Sequence, residues 1–138
     1  AARLRGLPVC THLIVGLPGE GREEALASLR RVLDLGVEGL KLHPLHVVKG
    51  TRLANAWRRG DYQPLEMQDY IHHVANLVEQ TPPEIIFHRL TGTAANRILL
   101  APRWCSQKWR VLNGIMQELQ QRGSRQGRIT QERQIWLQ

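Results

Sequence analysis

Two short aliphatic runs, residues 9–15 and 39–43, with a single amphipathic stretch between them, constrain this fold more than any other feature. Leu26, Leu29 and Leu33 recur at helical spacing, and Ala25 and Val32 widen the stripe. Glu23 and Glu24 favour the start of that helix, Arg30 and Arg31 its later turns, and Gly36 is placed for a left-handed cap. A second helix is expected from about residue 65 to 80, with Met67, Tyr70, Ile71, Val74, Leu77 and Val78 on one side and Pro82 and Pro83 ending it. A third aliphatic run, residues 84–90, follows. Two consecutive βαβ units result, and these require a parallel sheet with right-handed crossovers. No run alternates cleanly with polar residues, so strands covered on both faces are expected.

Three parallel strands make an incomplete sheet whose outer edges carry unpaired backbone groups. The fold class expected is therefore α/β, a parallel βαβαβ portion of a larger barrel or open sheet, with a helical C-terminal region. A helix over about residues 106–122 would bury Trp109, Leu112, Ile115, Met116 and Leu119. From Arg122 onward, "RGSRQGRITQERQ" reads as a polar, disorder-prone tail. The divisions expected are residues 1–95 for the sheet, 96–127 for the helical extension and 128–138 for the tail.

At 138 residues the chain can bury a core without disulfide or metal staples. Its two cysteines, Cys10 and Cys105, lie far apart and form no CxxC pair, so the chain alone is expected to hold no metal or iron–sulfur site. No apolar run approaches the length of a membrane span, and no signal peptide opens the chain, which makes a cytoplasmic setting the default. The opening "AARLRGLPVC" lacks methionine and meets a strand at once, so a piece of something longer is expected. The net charge of +7 is uneven: residues 97–138 hold eight Lys/Arg against two Asp/Glu, and the first 96 hold eleven against ten. Such a basic end fits either nucleic acid or a solvated arginine-rich face.

Three motifs could carry chemistry. "GLPGEG", Gly16 to Gly21, is a glycine-rich turn before a helix, the setting of a phosphate cradle. It has no Gly-Lys-Ser/Thr ending and no GxGxxG spacing, and Glu20, Glu23 and Glu24 would repel an anion there. A plain tight βα turn is the alternative. In "KLHPLHVVKGT", Lys41 and His43 share one face at the end of a strand, with His46 just beyond. In "FHRLTG", His88 and Arg89 end another strand, and Arg89 is a candidate anion clamp. His12 lies mid-strand and reads as a core or interface histidine, whereas the neighbours His72 and His73 point in different directions on a helix.

Taken in order, "VCTHLIVGLPGE", "LGVEGLKLHPLHVVKGTRLANAWRRGDY", "PPEIIFHRLTG" and "LLAPRWCSQKWRVLNGI" resemble the radical S-adenosylmethionine (radical SAM) enzymes. Within these the closest resemblance is to the elongator-catalytic-subunit-like branch and its YhcC-like family. It implies a partial (β/α) barrel that, when intact, uses a [4Fe-4S] cluster to cleave S-adenosylmethionine and generate a 5′-deoxyadenosyl radical. It also implies that Gly16, Leu17, Pro18, Gly19 and Glu20 support the adenosine portion of the cofactor. Lys41, His43 and His46 would line the same mouth, with His88 and Arg89 toward substrate. The family's three cluster cysteines belong to its N-terminal half, and nothing here matches them. The chain resembles the C-terminal half only, and alone it is expected to bind no cofactor and generate no radical.

Relatives in the elongator branch act on transfer RNA, so RNA is the expected partner of the basic C-terminal third, beside the missing N-terminal barrel half. The competing expectation is a non-catalytic, basic α/β nucleic-acid-binding module. With strand edges and an apolar barrel interior uncovered, the isolated chain is expected to self-associate.

Overall fold

The computed structural model describes residues 2–130. Strand β1 (Cys10–Val15) leads through the turn at Gly16 into helix α1 (Arg22–Asp34), and strand β2 (Gly39–Pro44) follows. A short strand β3 (Val47–Val48), helix α2 (Arg52–Arg59) and helix α3 (Met67–Gln80) precede strand β4 (Ile86–Arg89). Strand β5 (Leu99–Ala101), a 3-10 turn (Arg103–Ser106) and helix α4 (Lys108–Gln121) complete the elements. The main sheet is parallel in the order β1-β2-β4, and β3 pairs with β5 in a separate antiparallel ribbon. Register runs from Cys10 opposite Gly39 to Val15 opposite Pro44.

The core lies on one face of this sheet. Leu40 and Leu42 of β2 are fully buried against Leu26 and Leu29 of α1 and Tyr70, Val74 and Leu77 of α3. Helix α4 docks on α3 at Gly114, where an added Cβ would sit 2.4 Å from Ile71 Cδ1. Tyr70 donates its hydroxyl proton to the Leu90 carbonyl (2.9 Å), and Trp104, stacked beside it, donates its indole N–H to Leu65 (2.9 Å). These two bonds tie α3 and the 3-10 turn to the loops at the C-terminal ends of the strands.

Among the described residues, nothing covers the opposite face of the sheet. Along β1 the side chains alternate between exposed and partly buried, and Ile14 is 47% and Ile86 62% exposed. Strands covered on both faces are therefore not what these residues form; the apolar composition is present, but the second layer is not among them. His12 is exposed on the bare face, which excludes a core histidine.

Three other expectations need correction. Helix α4 buries Val111, Ile115 and Leu119, whereas Trp109 (71%) and Met116 (64%) are exposed, so its stripe is rotated from the expected one. The long connection after β2 contains α2 and β3, which hydrophobic periodicity did not reveal. The polar segment after α4 folds back as far as residue 130. Gln126 donates to the Pro82 and Ile85 carbonyls (2.8 and 2.7 Å), Gly127 N–H to Val78 (3.2 Å), and Thr130 to Gln80 (2.9 Å). Arg122 anchors this return through the buried Glu79 (3.1 Å) and through Glu118 (2.7 Å). Residues 131–138 of the expected tail lie outside the described residues.

Candidate functional site

The C-terminal ends of the three parallel strands place the turn after β1, the end of β2 and the end of β4 side by side. At the first, Gly16 has φ +92°, a left-handed conformation that favours glycine. Its carbonyl accepts the Tyr62 hydroxyl at 2.7 Å, and an added Cβ would lie 3.1 Å from Leu65 Cδ1. The turn closes with Glu20 N–H on the Leu17 carbonyl (3.0 Å). Glu24 faces back: its carboxylate accepts the Gly21 N–H at 2.8 Å, and this bond holds its pKa below the ordinary value. The acidic start of α1 thus serves its own cap. A cavity of about 210 Å³ opens between Gly16, Leu17, Pro18, Gly19 and Glu20 and the Tyr62–Leu65 loop.

On β2, Lys41 and His43 are partly buried on the bare face, alternating with the core residues Leu40 and Leu42. The His43 ring meets His46 edge-on, with centroids 5.3 Å apart. It also packs against Gly92, where a Cβ would come within 2.1 Å of the ring, so only glycine fits beside this His43 rotamer. His46 Nε2 lies 3.2 Å from the Gly92 carbonyl and, as the N–H tautomer, donates to it.

Strand β4 carries an irregularity that sequence reading does not see. Its register shifts between Leu40 and Lys41, so Lys41 pairs with Arg89 rather than His88. Such a bulge re-aims side chains. The Arg89 guanidinium reaches His43, Nη1 to Nε2 at 3.3 Å, so it donates to a neutral imidazole. His88 instead lies over Gly39 and Cys10, toward the N-terminal ends of the strands. The two residues expected to act together are separated: Arg89 joins the His43–His46 pair and His88 does not.

Both imidazoles are biased toward the neutral form. Partial burial lowers the His43 pKa, with His46 and Arg89 adding to the effect, and burial lowers that of His46. The strand ends therefore present two neutral imidazoles, one guanidinium and a rigid apolar turn. This set can hold a carboxylate and pack a flat heterocycle. It contains no thiolate: Cys10 is at the other end of β1, and Cys105 is buried with its thiol pushed up to about 12. Tyr62 and Leu65, which brace the turn, were missed because they lie more than forty residues from it in sequence and no local pattern marks them.

Residues 37–121 match the family described as Radical_SAM C-terminal domain. Protein YhcC of Escherichia coli K12 is 52% identical over 108 residues, which cover 78% of this chain and 35% of YhcC. The tRNA uridine(34) acetyltransferase of Dehalococcoides mccartyi is 35% identical over 88 residues, 62% of this chain and 19% of that protein. Among solved structures, the archaeal Methanocaldococcus infernus Elp3 with an N-terminal deletion superposes with a TM-score of 0.71 at 19% identity, covering 91% of this chain and 29% of that one. That likeness is one of fold, and the chain spans about a third of the length of YhcC. Strand β2, the "HRLTG" segment and α4 all fall within the matched residues, and the chain belongs to the Radical_SAM C-terminal domain family as a YhcC-like member.

Proposed function

We propose that this chain is the C-terminal wall of a radical SAM catalytic barrel, with its strand ends facing S-adenosylmethionine, in a protein that acts on RNA. The observation that carries the reading is the convergence of the 16–20 turn, neutral His43 and His46, and Arg89 at one end of a parallel sheet whose other face is bare. Bound with its [4Fe-4S] cluster, the cofactor supplies hydrogen-atom abstraction.

The residues present fit the organic part of that cofactor. The turn from Gly16 to Glu20, braced by Tyr62 and Leu65, would hold the adenosine, and Arg89 would hold a carboxylate while keeping His43 unprotonated. Lys41 would bring a cation to the same face. The cluster itself is not fitted by this chain, whose two thiols sit apart and away from the strand ends. Its ligands, on this reading, come from the part of the relatives' length that the chain does not cover.

RNA is favoured by the excess of eight Lys/Arg over two Asp/Glu in residues 97–138 and by the similarity to an enzyme whose name states tRNA as its substrate.

A chimera with this chain in place of the matching part of YhcC tests the cofactor reading through the binding of S-adenosylhomocysteine. The chimera should bind it, and Arg89→Ala should weaken binding about tenfold or more, as expected for loss of one charge-assisted hydrogen bond. Cofactor binding by YhcC but not by the chimera, or an Arg89→Ala variant that binds unchanged, would contradict it.

A further inference from the structure

A second cavity lies away from the 16–20 turn. It has a volume of about 570 Å³ and opens between residues 87–93 and the first turns of α4, which contribute Lys108 and Leu112. Among the described residues strand β4 pairs only with β2, and no described strand lies on its other edge. The ionisable side chains of this wall are His88, Arg89 and Lys108, and no carboxylate belongs to it.

Two further features point to a ligand. Thr91, on the cavity wall, is 5% exposed, yet its buried hydroxyl has no hydrogen-bond partner. Leaving such a group unpaired is costly, and native folds rarely do so without a reason. Helix α4 also begins without a side-chain cap and with no acidic residue in its first turn; Lys108, Trp109 and Arg110 stand there instead. That arrangement favours an anion.

Beside the cavity stands a largely exposed aromatic side chain. Trp109 is 71% exposed, and Lys108 Nζ lies 5.3 Å from its ring centroid. A cationic pocket flanked by an exposed indole is the arrangement by which single strands are held, phosphate in the pocket and base on the ring.

We propose that the cavity between β4 and the first turn of α4 binds a backbone phosphate of a single-stranded nucleic acid, with the adjoining base stacked on Trp109. This deepens the RNA reading above and rests on it, because it assigns residues to that contact. Rotation about χ1 would bring the Thr91 hydroxyl, sealed off in this conformation, onto a phosphate oxygen; Lys108 supplies charge, and Arg89 closes the side shared with His43.

Anisotropy of a fluorescein-labelled single-stranded oligoribonucleotide titrated with the 138-residue chain tests it. Lys108→Ala should weaken binding about tenfold and reduce the slope of log affinity against log salt by about one. Trp109→Ala should weaken it about tenfold with little change in slope. Thr91→Val gives a readout that a purely structural role cannot: binding weakens while the melting temperature holds or rises, because an unpaired buried hydroxyl is removed. Unchanged affinity in both Lys108→Ala and Trp109→Ala overturns the proposal. So does a site that binds inorganic phosphate or a mononucleotide as tightly as the oligonucleotide, since the phosphate would then come from a small ligand. Neither Lys108→Ala nor Trp109→Ala should alter S-adenosylhomocysteine binding by the YhcC chimera. Loss of cofactor binding with oligonucleotide binding intact would sink the cofactor reading alone.

Discussion

Gly92 and His43 show how one backbone position sets a side chain's chemistry. A methyl group at Gly92 would have to displace the tip of the His43 ring. The ring can swing away, so Gly92→Ala should cost only about 1 kcal/mol of stability by denaturant unfolding. It should nonetheless move the His43 imidazole resonances and break the contact with Arg89. Unmoved resonances would contradict the packing described. The glycine is legible in sequence as part of a turn, but its role is not, because His43 is a distant neighbour. Tyr70 is a second case: Tyr70→Phe strands the Leu90 carbonyl and should cost about 1–3 kcal/mol. The histidines also fix a pH dependence. His43, His46 and His73 all lie below the ordinary value of 6.5, chiefly through burial. On acidification the unfolded chain takes up these protons first. Stability is therefore full above about pH 6.5, falls as pH drops through that value, and levels off below the folded-state pKa values. Melting temperatures measured across this range should decline toward acid; a rise would contradict the lowered values.

At the scale of elements, the main strands and three of the helices were readable because their apolar residues keep one period over many positions. Helix α4 shows the limit. Its apolar residues, from Trp109 to Leu119, occupy an arc wider than α3 covers, and sequence alone cannot say which edge of that arc is buried. The structure buries Val111, Ile115 and Leu119 and leaves Trp109 and Met116 outside. Ile115→Ala should accordingly cost about 2–5 kcal/mol, whereas Met116→Ala should stay within about 0.5 kcal/mol. Comparable losses in the two would place the helix in the register first expected. Helix α2 escaped notice for a different reason: its eight residues make barely two turns, too few for the face formed by Leu53, Ala54, Ala56 and Trp57 to establish a period. The bulge in β4 left no mark in composition, and it decides that Arg89, rather than His88, joins the strand-end site.

Among the described residues the sheet has one packed face and one bare one, and the strand-end site sits where they meet. The apolar residues of β1 and β4 were visible in sequence, but their exposure was not, because composition records what a strand can be covered by and not whether it is covered. An exposed sheet face carrying Ile14 and Ile86, beside an edge of β4 that no described strand pairs with, should make the isolated chain associate as its concentration rises. No helix among the described residues is long and apolar enough to cross a membrane, so a lipid-spanning helix does not account for the bare face. In a barrel that face becomes the interior. Cys10, exposed near the start of β1 and lying over Gly39 beside His88, reports on it directly, with buried Cys105 as the internal control. The decisive measurement is the alkylation rate of Cys10 in dilute chain and in the YhcC chimera. If the sheet is the inner wall of a barrel, Cys10 reacts freely in the chain and about tenfold or more slowly in the chimera. Equal rates would mean that nothing closes over this face, and the barrel reading would fail.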